Sequence, residues 1–263
     1  MTSTALVVPC YNEALRLPTD GFLNYLQSTS TDVRFIFVDD GSTDATLDVL
    51  RRLASIGGER VAVLGLQTNR GKAEAVRSGM NYALNRFHVN VVGFWDADLA
   101  TPLGELSPML EVLKRSPKID MVFAARVKLL GRRINRRPAR HYFGRIFATA
   151  VSNVLALPVY DTQCGAKLFR VTPDLTRILA EQFLSRWVFD VEIIARFLRL
   201  RGGDVVEKAI YEYPLDTWTD VAGSKVGAGD FIRAALDVAS IWRHYLAPSN
   251  QNSMAHRESN VKI

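Results

Sequence analysis

Disulfides, long apolar runs, metal-spaced histidines and an even spread of acid are all missing from this chain of 263 residues. Cys10 and Cys164 are its only cysteines, far too few to staple a small secreted fold, so a reducing compartment is the economical expectation. The longest weakly polar run, "FATAVSNVLALPVY" from Phe147 to Tyr160, is interrupted by Ser152 and Asn153. It falls short of the roughly 20 apolar residues a spanning helix needs. The opening "MTSTALVVPCYNE" has neither a charged leader region nor a long apolar one, so no export signal is expected and the cytoplasm is the default location. His88, His141, His244 and His256 lack ligand spacing for a metal. Acid is absent from one whole interval: between Asp120 and Asp161 the only charged residues are Arg126, Lys128, Arg132, Arg133, Arg136, Arg137, Arg140 and Arg145. No aromatic-basic stacking platform or recognition motif accompanies that charge, which argues against nucleic acid as the partner.

What is present suits a large core. Hydrophobic residues make up 48% and charged residues 23% of the chain, enough for one domain, expected over 1–246. The tail from Ala247 has too little apolar content to pack and is expected to be disordered. Short β-rich runs, "ALVVP", "RFIFVDD", "VAVLGLQ" and "VVGFWD", alternate with amphipathic segments expected as helices at 18–27, 42–55 and 71–84. That alternation predicts an α/β fold with a mostly parallel sheet covered by helices on both faces. Further along, the pattern predicts a helix at 103–114, a strand at 119–125, a helix at 140–157 and a loop over "YDTQCGAKLF". A helix from Pro173, another over 189–200, a strand over "VVEKAIYEYPL" and a helix over 228–245 follow.

In such sheets ligands bind beyond the carboxyl ends of the strands, and the polar residues of this sequence gather there. "PCYNE" follows the first strand, "DDGSTD" ends the second, "TNRGK" follows the third and "DAD" ends the fourth. Asp96 and Asp98 stand at i and i+2, on one side of an extended chain. Two hard carboxylates beside an open crevice suit Mg²⁺ or Mn²⁺, which takes its remaining ligands from water and phosphates. A solvated helix-capping turn is the plainer reading of a lone D-x-D. Asp39 and Asp40 can accept hydrogen bonds from a base or ribose, and Lys72 can meet phosphate, although "DDGS" and "NRGK" alone also read as turns.

The series "VVPCYNEALRLP", "FIFVDDGSTDAT", "TNRGKAEAVRSGM" and "DADLATP" resembles a family 2 inverting glycosyltransferase with the GT-A, Rossmann-like fold. "DTQCGAKLF", "SRWVFDVEII" and "GSK" are similar to the polyprenyl-phosphate sugar transferases, most closely the dolichyl-phosphate glucosyltransferase type. The resemblance implies that Pro9, Tyr11, Glu13 and Asp39 surround the nucleoside, with Asp40 nearby, and that Asp96 and Asp98 contact the donor and its divalent metal. It puts Gln163, Cys164, Gly165 and Lys167 in a loop flanking the sugar, and Arg186, Trp187 and Asp190 in the segment closing the catalytic pocket. The sequence departs from related mannosyltransferases at Ala100, where those carry a polar residue that assists the metal.

The resemblance also implies a nucleotide-sugar-binding half over 1–125 and an acceptor-binding half over 126–246. The implied reaction moves a hexose, most simply glucose from UDP-glucose, to a polyprenyl phosphate; GDP-mannose is the alternative donor. Arg126, Arg137, Arg140 and Lys225 are the candidates for the acceptor phosphate, since that anion must approach a diphosphate. A hydroxyl acceptor would instead need a base, and Asp190 is the candidate. A nucleotide-sugar-binding adapter without turnover is the rival from another class. The basic and apolar stretch 126–157 also fits peripheral contact with the cytosolic face of a membrane.

Overall fold

The structure, a computed structural model, describes residues 3–135, 138–221 and 228–248. Its centre is a seven-stranded sheet in the order β3-β2-β1-β4-β7-β5-β8. The strands are β1 (Thr4–Cys10), β2 (Val33–Asp39), β3 (Val61–Gly65), β4 (Val91–Trp95), β5 (Met121–Ala125), β7 (Ala166–Arg170) and β8 (Ile210–Pro214). All run parallel except β7, which is antiparallel to both β4 and β5. A small parallel ribbon joins β6 (Arg133–Asn135) to β9 (Thr217–Thr219).

Both faces of the sheet are covered, so its central strands are apolar at almost every position rather than alternately. In β1, Leu6 and Val8 join one core with Phe35 and Phe37, while Ala5 and Val7 join the other with Ile36 and Val38. The first core is closed by α1 (Thr19–Ser28), α2 (Thr46–Gly57) and α4 (Leu106–Arg115), through Phe22, Leu50 and Met109. The second is closed by α3 (Lys72–Arg86), α5 (Pro138–Leu155), α6 (Pro173–Ala180) and α7 (Phe189–Arg201), through Met80, Val151, Ile178 and Ile194. The strand order reverses at the parallel pair β1 and β4, with β2 and β3 to one side of β1, and the connections leaving in opposite directions open a crevice above their carboxyl ends.

Three segments differ from the sequence expectation. Helix α2 begins at Thr46 rather than Ser42, because Ser42 and Asp44 bond the loop after β1 instead of entering the helix. The end of the expected loop 160–169 is strand β7: a lysine in the middle of "AKLFR" hides an otherwise apolar run. The first part of the expected strand 205–215 is the short helix α8 (Gly203–Ala209), and only Ile210–Pro214 is extended. Gly202, at φ 79°, turns the chain sharply out of α7, and Val206 and Ala209 then share one buried helical face. At the carboxyl end α9 (Ala228–Ile241) passes into a π-turn at Trp242–Leu246. Ala247, expected in the tail, is buried against that turn with its N–H on Trp242 O, and 249–263 lie outside the described residues. Among the described residues no helix is long and apolar enough to cross a membrane.

Candidate active site

The carboxyl ends of β1, β2 and β4 open into a cavity of about 670 Å³. Its wall includes Pro9, Tyr11, Glu13, Asp40, Lys72, Asp96, Asp98, Arg126, Gln163, Arg186, Trp187 and Asp190 from the sequence-derived set. Arg137 and Lys225 lie outside the described residues, as does the side chain of Arg140.

The loop after β1 is braced by the one after β2. Asn12, at φ 52°, receives Thr43 N–H on Oδ1 at 2.9 Å and gives its own N–H to Ser42 Oγ at 3.0 Å. Glu13 N–H reaches Thr46 Oγ1 at 2.8 Å, and the Glu13 carboxylate pairs with Arg16 at 2.6 Å. The polar residues of "GSTDAT" thus shape the "YNE" turn, a use the sequence reading did not assign. Asp39, expected to surround the nucleoside, is 3% exposed and lies just behind the cavity wall rather than on it, and its Oδ1 has no hydrogen-bond partner among the described residues. Asp40 has the opposite character: its two oxygens accept the N–H groups of Arg70 (2.7 Å) and Gly71 (2.8 Å). It clamps the "NRGK" loop at the foot of α3. Burial pushes the Asp40 carboxyl up, against the pull of those two amides.

Lys72, expected to meet phosphate, places Nζ 2.5 Å from Asp96 Oδ1. Burial opposes its charge, but Asp96, Asp190 and Asp98 together hold the ammonium above its usual value. Asp96 is seated by two further contacts. Its N–H donates to Gly165 O at 2.8 Å, and a Cβ on Gly165 would fall 1.7 Å from Asp96 Oδ2, so only glycine fits beside this carboxylate. Strand β4 ends at Trp95, so Asp96–Asp98 form a turn rather than an extended pair. In that turn Asp98 accepts Ala100 N–H at 3.0 Å and remains exposed. The desolvating wall and the charge on Asp96 push the Asp98 carboxyl up, against Ala100 N–H, Lys72 and Arg16. Among the described residues no set of three or more His, Cys, Asp or Glu side chains is arranged around a metal position.

Lys167, expected in a loop flanking the sugar and as a candidate for the catalytic set, is instead on strand β7, wholly buried beneath the cavity, and does not line it. Its ammonium donates to Cys164 O at 2.5 Å and pairs with Asp190 Oδ1 at 2.6 Å, over the rings of Phe94 and Phe123. It can act only through Asp190, which stands in the first turn of α7 on the cavity wall. Burial pushes the Asp190 carboxyl up, while Lys167 and Lys72 pull it down. Arg186 bonds Asn69 Oδ1 at 2.6 Å and lies against Gly71, whose φ of 95° and lack of a side chain permit the contact. Trp187 is half-exposed beside it.

On the far side Arg126 lines the cavity with its fork committed: Nε and Nη2 each reach an oxygen of Asp161 at 2.7 Å. That bidentate pair limits Arg126 as a phosphate ligand. Asp161 N–H and Tyr160 N–H are in turn accepted by Glu212. Asp161 and Glu212 were missed as site-building residues, although a glutamate within "AIYEYP" was the available signal. Arg145 stacks over the Tyr160 ring at 3.7 Å. Gln163 Nε2 and Thr162 Oγ1 are buried at the wall without hydrogen-bond partners among the described residues. Burial raises both thiols, Cys164 to about 11, so neither suits a nucleophile.

A mostly parallel sheet with carboxylates gathered at one rim of strand ends, around a cavity of this size, is the architecture of a GT-A glycosyltransferase. Residues 5–176 match Glycosyl transferase family 2, and the chain belongs to that family. The chain is 33% identical over 261 residues to a dolichyl-phosphate beta-glucosyltransferase of Drosophila melanogaster, covering 92% of this chain and 75% of the relative. To the Homo sapiens protein of the same name it is 32% identical, with the same coverage. Among solved structures it resembles glucosyl-3-phosphoglycerate synthase from Mycobacterium tuberculosis in complex with Mn²⁺, UDP and glucosyl-3-phosphoglycerate. The TM-score is 0.65 at 18% identity, over 91% of this chain and 80% of that one. Mannosyl-3-phosphoglycerate synthase from Rubrobacter xylanophilus gives 0.66 at 16% identity, over 95% and 76%.

Proposed function

We propose that this glycosyltransferase moves glucose from UDP-glucose to the phosphate of a polyprenyl, dolichyl-type lipid, inverting the anomeric carbon. The observation that carries the reading is the meeting of two unlike walls. Acidic strand ends bearing Asp96 and Asp98 face helices α5 and α9, which line the cavity with Phe147 and Ala234 and turn Tyr142, Ile146, Ile232 and Leu236 outward to solvent. A polar donor and an amphipathic acceptor need such a pair, and the names of the relatives agree with it. The outward apolar faces suit contact with a lipid surface.

Asp96 and Asp98 are the residues that would hold a divalent ion, Mg²⁺ or Mn²⁺. They offer hard oxygens at an open rim, one of them exposed, and burial together with the charge of Asp96 disfavours ionisation of Asp98. Such an ion, when bound, supplies Lewis-acid compensation for the charge of the departing UDP. The unpartnered Asp39 Oδ1 accepts from the nucleoside, and Tyr11, Pro9 and Glu13 wall it in. Gln163 Nε2 donates to a sugar hydroxyl, and Trp187 covers the hexose. The lipid phosphate is already anionic at neutral pH and attacks from the side opposite the leaving group without a base. Arg145 and the partly neutralised Arg126 supply positive potential there, and Arg137, Arg140 and Lys225 are the sequence's further candidates for the same task.

A second reading keeps the donor but uses a hydroxyl acceptor, with Asp190 as base. Its support is the raised carboxyl of Asp190 at the cavity wall. The deciding experiment measures nucleotide release from UDP-glucose and GDP-mannose with Mg²⁺ or Mn²⁺ in the presence of a short polyprenyl phosphate, a polyprenyl alcohol or 3-phosphoglycerate. Release from UDP-glucose stimulated by the lipid phosphate supports the proposal; stimulation by either of the others and not by it refutes the lipid-phosphate acceptor.

A further inference from the structure

Helix α9 reaches the donor side of the cavity through one carboxylate. Ser185, 2% exposed, donates its hydroxyl proton to Asp237 Oδ2 at 2.6 Å. The same Oγ accepts the N–H of Trp187 at 3.1 Å and of Val188 at 2.7 Å. The stem of this loop is secured independently from α7. Glu192 accepts Leu184 N–H and Ser185 N–H, and Arg196 donates to the carbonyls of Ile178, Glu181 and Gln182. Beyond Ser185 the backbone rests on the Arg186 carbonyl, which accepts Ala73 N–H at 3.2 Å, and on a hydroxyl that would otherwise rotate. A serine has one proton and two lone pairs, so an acceptor that fixes the proton also turns the lone pairs toward the two amides.

We propose that Asp237 is a positioning residue: by orienting the Ser185 hydroxyl it sets Trp187 and Arg186 against the 69–72 loop, and so ties α9 to the donor pocket. The segment it orders carries the Arg186–Asn69 bond and the contact of Arg186 with Gly71. Trp187 lies with its ring 6.0 Å from Lys72 Nζ. Ala234, one turn before Asp237 on α9, lines the same cavity, so one helix faces the acceptor side and anchors the donor side. The inference rests on the proposed donor only for the choice of kinetic probe.

The test uses the full chain labelled with 5-fluorotryptophan, observed by ¹⁹F NMR without ligand. The chain has 4 tryptophans, and Trp187→Phe assigns the relevant resonance. Asp237→Leu is expected to shift or broaden the Trp187 signal while those of Trp95 and Trp218 stay in place. It should raise KM for UDP-glucose about tenfold, with a smaller change in kcat. Asp237→Asn, whose carbonyl oxygen still accepts the Ser185 proton, should restore both; Ser185→Ala should reproduce the Leu variant and serves if that variant fails to fold. An unmoved Trp187 resonance, an equal disturbance of Trp95 and Trp218, or a moved resonance with unchanged KM overturns the proposal. Absence of UDP-glucose turnover in the unmodified protein would refute the donor assignment instead, and the spectra would still decide the positioning role.

Discussion

Lys167 and Asp190 form an ion pair with no solvent on the lysine side, so each charge depends on the other. Lys167→Met should leave Asp190 buried without its partner and cost about 3–5 kcal/mol, read as a fall in the urea midpoint at constant slope. The double variant Lys167→Met, Asp190→Asn should recover much of that loss, because the two sites couple. The pH dependence has a definite sign. Burial raises the Asp190 carboxyl, so the folded state keeps this proton to higher pH than the unfolded chain does. Its contribution to stability is present below the unfolded value and is lost as pH rises through the folded one. Urea titrations of Lys167→Met from acid to neutral pH should show a larger loss than those of the unmodified protein. Gly165→Ala should overpack Asp96, costing about 1–3 kcal/mol, and abolish most turnover; an active, equally stable variant would refute the close-packing argument. Asp96 and Asp98 were legible because carboxylates at the end of an apolar run stand out. Lys167 was legible as important but not as buried: a lysine inside a short run reads as surface until a partner carboxylate 23 residues later is brought beneath it.

Alternation of strands and helices carried most of the element order, since both faces of β1, β2 and β4 are buried and their sequences are nearly continuously apolar. The failures have local causes. Strand β7 was missed because Lys167 breaks its pattern, and α8 because "VV" favours extended chain until Gly202 and the packing of Val206 override it. The turn preceding α2 was read as helix because its side-chain bonds run to a loop 30 residues earlier. The loops at the rim hold one another, and Asp40 is the test of this. Asp40→Ala should free the amides of Arg70 and Gly71, accelerating their hydrogen exchange and weakening UDP binding by about 1–3 kcal/mol. Unchanged protection of those two amides would show that the loop is held by other means.

Across the whole molecule, the acceptor reading makes a prediction about surfaces. Ile232 and Leu236 are 68% and 66% exposed on α9. Replacing both by Glu should reduce sedimentation with anionic vesicles by about tenfold or more while leaving UDP affinity unchanged. Equal vesicle binding would direct the search for the lipid contact elsewhere.

The strand order also bears on how the chain comes into being. β5 pairs with β7 and β8 and with neither β1 nor β4, so the first 125 residues cannot assemble the sheet they contribute to. During synthesis β4 presents an open hydrogen-bonding edge until residues 166–170 emerge and insert beside it. A nascent chain halted at residue 125 would therefore hold the strand-end carboxylates of β1, β2 and β4 on an unfinished sheet with an open edge, prone to pair with its neighbours on the polysome. The late antiparallel strand that brings Gly165 to Asp96 also makes completion of the cavity rim wait for residues beyond 125.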